Sequence, residues 1–264
     1  MIEPMCQLLG VSCKQPADIN FTFEGFRARG GLTDEHKDGW GIAFFRNNNF
    51  DVFLDHQPAA NSELAAEINS AGIKSKTIIA HIRKATVGEV KLSNCHPFHR
   101  ELWGKTWLFC HNGDLKNFAP ELNGRFNPQG DTDSELAFCY LLQQLESQLP
   151  QGTDDSEALF KVLNDLSREI EKFGTFNIIF SNGDLLFTYC STSLAHVERK
   201  YPFTTVTLVD KDVSLDLSQH HNEHDKMILI ATKPLTINED WKVYQPQEAR
   251  MFREGEVIYS GINI

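Results

Sequence analysis

A cysteine directly after a methionine, as at Met5-Cys6, has access to chemistry that a cysteine inside a chain lacks. Removing the methionine exposes an α-amine on the residue that also carries the thiol. The amine titrates near ~8 and a free thiol near ~8.5, so one residue supplies both the attacking atom and a proton acceptor. That pairing suits nucleophilic attack on an acyl carbon, as with N-terminal threonine. The plain alternative is a small apolar residue opening a strand. Downstream, Arg83 ends one apolar run, His111-Asn112-Gly113 ends another, and Asp133 stands ahead of a helical pattern. Taken singly, these read as a surface ion-pair partner, an Asn-Gly turn, and a first-turn carboxylate or cap.

A metal site is the competing chemistry, because Cys95, His96, His99, Cys110 and His111 fall close together in sequence. Zinc sites show paired ligands at fixed short spacings. Here Cys95 and His96 are adjacent, and on a strand Cys110 and His111 point to opposite faces. No metal or other cofactor is expected. The six cysteines contain no CxxC pair and read as reduced thiols. His220, His221 and His224 sit among polar residues and read as solvated loop side chains.

The elements that must hold these residues follow from periodicity. Gln7 to Val11 reads as a buried strand. Asp18 precedes Ile19, Phe23 and Phe26 and predicts a capped helix ended by Gly30-Gly31. Trp40, Ile42 and Phe44 alternate as on a strand, and Asn47-Asn48-Asn49 supplies a turn into Asp51 to Asp55. Asn61 caps a short helix through Leu64 and Ile68. Thr77 to Arg83 reads as a central strand that delivers Arg83 to a surface, followed by a loop over 84–100. Thr106 to Cys110 is a further strand, terminated by His111-Asn112-Gly113-Asp114, and Gly124 to Gly130 is a connecting loop.

Thr132-Asp133-Ser134-Glu135 opens a helix with Ala137, Tyr140, Leu141 and Leu145, stopped by Pro150. A second helix begins at Ser156, with Leu159, Val162, Leu163, Leu166 and Ile170 on one face. Phe176 to Ser181 and Leu185 to Cys190 form a hairpin about Asn182-Gly183. Strands also fit Val206 to Val209, Met227 to Ala231, Trp241 to Tyr244 and Val257 to Tyr259. Strand runs separated by a helix pair predict a layered α+β sandwich in one domain spanning 1–264.

Composition narrows the function. Hydrophobic content of 41% and charged content of 23% over 264 residues predict a packed core. A net charge of −11, with basic residues scattered, leaves no face for a phosphate backbone or an anionic membrane. No apolar run approaches ~18 residues and no signal-peptide pattern opens the chain, so a cytoplasmic protein is expected.

The set Met5-Cys6, His81-Ile82-Arg83, Thr86, His96-Pro97, His111-Asn112-Gly113 and Thr132-Asp133-Ser134-Glu135, in this order, resembles the class II glutamine amidotransferases of the N-terminal-nucleophile hydrolase superfamily. It is most similar to their stand-alone YafJ-like members, with Asp38-Gly39-Trp40-Gly41-Ile42 as a further shared stretch. The resemblance implies a four-layer αββα sandwich of mainly antiparallel sheets. It implies Cys6 as nucleophile, Asn112 and Gly113 as oxyanion donors, Arg83 on the substrate's α-carboxylate and Asp133 on its α-ammonium. Thr86 and His96 then line the glutamine pocket.

The implied reaction is cleavage of a γ-glutamyl amide through a Cys6 thioester, giving glutamate and ammonia or an amine, as in a glutaminase. Partners would be a small-molecule substrate and a possible ammonia-accepting synthase. One departure from the pattern stands out. Met1 to Pro4 precede Met5, so a free amine on Cys6 requires them to be extra or removed. Translation from Met5, cleavage of a short propeptide and an inactive relative each account for it; the first is the expectation adopted. The alternative function is a glutamine-binding or structural subunit with a blocked Cys6.

Overall fold

The first element among the described residues is a strand whose first seven residues are all buried: β1, Gln7–Ala17. Residues 6–46, 49–85 and 88–261 are described by the structure, a computed structural model. Among the described residues, fourteen more strands and four α-helices follow. In order they are α1 (Asn20–Ala28), β2 (Trp40–Arg46), β3 (Asn49–Asp55), α2 (Glu63–Ser70), β4 (Ser75–Ile82), β5 (Phe98–Leu102) and β6 (Lys105–Leu115). Next come α3 (Asp133–Gln148), α4 (Ser156–Glu171), β7 (Gly174–Ser181), β8 (Leu186–Cys190), β9 (Ala195–Lys200), β10 (Thr205–Thr207) and β11 (Ser214–Asp216). β12 (Lys226–Ala231), β13 (Lys242–Val243), β14 (Glu248–Arg253) and β15 (Glu256–Gly261) complete the order.

Seven strands form one sheet in the order β13-β9-β12-β1-β4-β2-β3, and six form another, β15-β14-β8-β7-β6-β5. Their registered pairs are antiparallel. β1 lies centrally in the first sheet, flanked by β4 and β12, which explains its unbroken apolar run: both of its faces are covered. Leu8, Ala43, Ile79 and Ile230 of the first sheet meet Leu108, Cys110, Ile179 and Phe252 of the second in one buried layer. Phe23, Phe26, Ala65 and Ile68 of α1 and α2 cover the outer face of the first sheet. Phe138, Leu142, Phe160 and Leu163 of α3 and α4 cover the second. Helices, sheet, sheet and helices therefore stack as the expected αββα sandwich.

Several local expectations are corrected. Asp18 does not cap α1; Ile19 takes the N-cap position without a side-chain bond, because the helix starts one residue later than the pattern suggested. α2 is capped by Ser62, whose hydroxyl accepts from Ala65 N–H, not by Asn61. The stretch 84–100 is not all loop, since β5 begins at Phe98 and a 3-10 turn covers Leu92–Asn94. His111-Asn112-Gly113-Asp114 does not terminate its strand. β6 runs on to Leu115 because β7 pairs with it residue by residue, Asn112 opposite Asn177 and Gly113 opposite Phe176.

β9 and β14 escaped the sequence reading because each carries three charged residues, and Arg199 and Glu248 among them are buried, so neither strand reads as an apolar run. In the turn expected at Asn47-Asn48-Asn49, Asn47 and Asn48 lie outside the described residues and Asn49 opens β3. His221 is not simply solvated: it is half-buried and stacks on Phe203 at 5.0 Å.

Candidate active site

Cys6 is the residue before β1, and the antiparallel register that sets Gln7 opposite Ile82 brings it beside the end of β4. Its sulfur donates to the Lys84 carbonyl at 3.3 Å and accepts from the Lys84 N–H at 3.2 Å. Burial pushes the thiol pKa up to about 11. The Lys84 N–H and the charge of Arg83 pull it down, and Asp133 adds a further upward push. Both charges therefore act on the sulfur, in opposite directions.

Arg83 follows β4 directly and is almost fully buried. Its guanidinium donates to the carbonyls of Glu89 at 3.1 Å and Gly88 at 3.2 Å. The backbone that carries it is fixed by the Asp38-Gly39 segment. Arg83 N–H donates to Gly39 C=O, Asp38 N–H to Arg83 C=O, and Ala85 N–H to the Asp38 carboxylate at 2.8 Å. A strand end delivers the side chain, and a neighbouring segment sets its height.

Asp133 is the first residue of α3, with Thr132 as the N-cap. Its carboxylate accepts from Leu115 N–H at 2.7 Å, which ties the helix start to the end of β6, two residues beyond Gly113. The loops that follow Arg83 and precede Asp133 are fastened together. Asn94 donates to the Asp131 carboxylate and accepts from its N–H, and Lys91 pairs with the same carboxylate at 2.8 Å.

Asn112 is buried on β6. Its side-chain nitrogen lies 3.3 Å from Thr232 Oγ1, the oxygen that also accepts from Leu8 N–H at 2.9 Å. Its main-chain carbonyl accepts from Asn177 Nδ2 at 3.0 Å. The Asn177 oxygen in turn accepts the N–H groups of Ser191, Thr192 and Ser193. At Gly113 an added Cβ would lie 1.8 Å from the Thr175 carbonyl, so only glycine lets β6 and β7 approach as they do.

Three buried histidines join the two sheets behind these groups. His81 Nε2 donates to the His111 carbonyl at 3.1 Å, and the His81 ring lies tilted against that of His96, centroids 4.2 Å apart. His111 contacts Ser134 Oγ through Nδ1 at 2.8 Å and the Thr175 carbonyl through Nε2 at 3.0 Å, the bonding of a neutral ring protonated at Nε2. Burial lowers all three pKa values, that of His81 to about 3. His96 sits beneath Gly41, where a Cβ would meet the His96 carbonyl at 2.3 Å.

The structure thus brings Cys6, Arg83, Asn112, Gly113 and Asp133 to one end of the two sheets, with His96 behind them. Thr86 lies outside the described residues. A cavity of about 760 Å³ lies elsewhere, lined by Cys13, Asp18, Phe21, Arg199 and His221, and includes none of these groups. Among the described residues no three His, Cys, Asp or Glu side chains gather as a metal would require.

The sequence reading does not single out Thr232 or Asn177, and it names His81 only within His81-Ile82-Arg83, without a role. Thr232 is the first polar residue after an apolar strand, the signal that picked out Arg83, and Asn177 is a polar residue inside an apolar run. Either feature was readable. Nothing in sequence separates such a residue from a surface one until its partners are known.

Comparison with known proteins shows the family. A family model described as class II glutamine amidotransferases matches residues 5–263. The Escherichia coli protein YafJ, provisionally named a glutamine amidotransferase, is 45% identical over 254 residues, covering 96% of this chain and 100% of its own length. A Haemophilus influenzae protein with the same provisional name is 45% identical over 259 residues, covering 98% and 87%. The 2.0 Å crystal structure of a predicted glutamine amidotransferase from Pseudomonas aeruginosa superposes with a TM-score of 0.76 at 39% identity, covering 96% and 100% of the two chains.

Proposed function

Since the chain belongs to the class II glutamine amidotransferases, we propose that it hydrolyses a γ-glutamyl amide, glutamine first among the candidates, through a thioester on Cys6. One observation carries the reading. The Cys6 sulfur lies against Lys84, the residue after Arg83, and feels the opposed charges of Arg83 and Asp133. A guanidinium and a carboxylate flanking a thiol match the two charged ends of a free amino acid whose side-chain amide must reach the sulfur.

The steps follow from the groups. With Cys6 exposed as the first residue, the thiol proton passes to or through its own α-amine, and sulfur attacks the amide carbon. Negative charge develops on the carbonyl oxygen, where the Asn112 side-chain amide and the Gly113 N–H stabilise it. Losing one such donor costs about 2.7–4 kcal/mol of barrier. Collapse expels ammonia or an amine, and water hydrolyses the γ-glutamyl thioester to glutamate. The ammonia goes to water or to a synthase partner. His96 and Thr86 complete the pocket, and the chain acts as one domain whose Met1 to Pro4 segment is absent from the active species.

Ammonia and glutamate released from glutamine by protein beginning at Cys6 test this. Hydroxylamine should divert the thioester to γ-glutamyl hydroxamate, and Cys6→Ala should abolish both products. Arg83→Ala should raise KM more than it lowers kcat. Glutamine binding without turnover, with Cys6 exposed, would instead identify a binding subunit.

A further inference from the structure

The Asn112 amide carries an inconsistency that its surroundings resolve. With Nδ2 facing Thr232 Oγ1 at 3.3 Å, Asn112 Oδ1 is buried without a hydrogen-bond partner among the described residues. Thr232 Oγ1 already accepts from Leu8 N–H at 2.9 Å, and both of its printed contacts then use it as an acceptor. Among the described residues its own O–H, on a buried residue, is left without an acceptor. Two groups go unmatched side by side.

Turning the amide over exchanges two atoms of nearly equal size and leaves its shape unchanged. Thr232 O–H then donates to Asn112 Oδ1, Leu8 N–H keeps its acceptor, and Asn112 Nδ2 turns to the buried side where Oδ1 stood. One unmatched group, the NH₂, then replaces two; buried polar groups are paired in the great majority of cases, so the turned arrangement is favoured and its NH₂ awaits an acceptor.

We propose that Thr232 is a positioning residue for the oxyanion hole: its hydroxyl holds the Asn112 carbonyl oxygen and so presents the NH₂ group to the developing oxyanion. The inference rests on the reading of Asn112 as an oxyanion donor given above. Without the hydroxyl, nothing fixes the amide, and an oxygen turned toward the oxyanion would repel it. Thr232 is itself located by structure that does not depend on Asn112. Its N–H donates to the Leu8 carbonyl at 3.2 Å, and its carbonyl accepts from Ser193 Oγ at 2.9 Å.

Thr232→Val keeps the shape and removes the O–H; Thr232→Ser restores it. In protein beginning at Cys6, Thr232→Val should lower kcat for glutamine about 10–100-fold, with KM within about 3-fold of wild type. The rate of Cys6 alkylation by iodoacetamide should stay unchanged, and Thr232→Ser should recover most of kcat. Equal loss in both variants, or wild-type kcat in Thr232→Val, overturns the proposal. A neutron structure of the wild-type protein reads the amide directly and does not require the valine variant to fold. Deuterium density on the Asn112 atom facing Thr232 refutes the proposal; density on the opposite atom supports it. Catalytic silence of wild-type protein with Cys6 exposed refutes the hydrolase reading instead, and the neutron result then decides the orientation alone.

Discussion

A thiol whose pKa stands at about 11 is protonated at neutral pH and a poor nucleophile. The cause is burial, which disfavours the thiolate, and the Lys84 N–H and Arg83 only partly offset it. The sign is therefore fixed: reactivity should rise with pH beyond the range of an ordinary cysteine. In the chain with Cys6 in peptide linkage, iodoacetamide alkylation of Cys6, followed by mass spectrometry, should keep accelerating past pH 9 and level off only near 11. A plateau near 8.5 would mean that the sulfur is better solvated than the fold indicates. An α-amine on the same residue changes this, because it accepts the proton locally near ~8. The distance between a dormant thiol and a working one is thus a single peptide bond.

Among the elements, β6 does most to shape the site. It is held in place by its pairing with β7 and by one buried side chain, Asn177. That side chain joins the Asn112 carbonyl to Thr192 Oγ1 and to three consecutive N–H groups. The peptide that Asn177 grips on its carbonyl side is the one whose N–H belongs to Gly113. Asn177→Asp keeps the acceptor for the three N–H groups but sets an oxygen against the Asn112 carbonyl. It should cost about 1–3 kcal/mol in urea denaturation and lower kcat as well. Gly113→Ala should destabilise by a similar amount or more, since the added methyl must displace the Thr175 carbonyl from β7. Hydrogen exchange should show that loss concentrated in β6 and β7. Stability equal to wild type in Gly113→Ala would mean that the two strands are less closely joined than their register implies.

For the whole molecule, the buried histidines between the sheets govern acid stability. Burial holds His81 near pKa 3 and lowers His96 and His111 below their ordinary value. The unfolded chain takes up these protons below about pH 6.5 while the folded chain does not. Stability is therefore complete above pH 6.5 and is lost progressively as pH falls toward 3. The loss amounts to about 1 kcal/mol per pH unit for each fully neutral histidine. Thermal melts should show Tm falling from pH 7.5 to pH 5, and His81→Leu should flatten that slope even if it lowers Tm overall. A Tm independent of pH over this range would mean that these rings are hydrated or already charged. No helix among the described residues is long and apolar enough to cross a membrane.

The sequence by itself determined the layers and the chemistry on offer. Apolar runs with period 2 and period 3.6 fix which faces are buried and so predict a layered α+β sandwich; the four-layer αββα order came with the family resemblance. The order of Cys6, Arg83, Asn112-Gly113 and Asp133 was equally legible, because Cys6 precedes, Arg83 follows and Asp133 opens an element, while Asn112-Gly113 stands out as a turn-type dipeptide at the end of an apolar run. What only the tertiary structure decided is how those ends meet. Asn112-Gly113 looks like a turn locally, and Asn-Gly usually is one; pairing with β7 made it strand, because cross-strand hydrogen bonds outweigh local turn preference. Asp18 and Asn61 look like caps, but a one-residue shift in where each helix is first packed gave those places to Ile19 and Ser62. Thr232 and Asn177 acquire their meaning from partners more than 60 residues away, and a linear reading has no means of weighing contacts that exist only once the sheets have closed on one another.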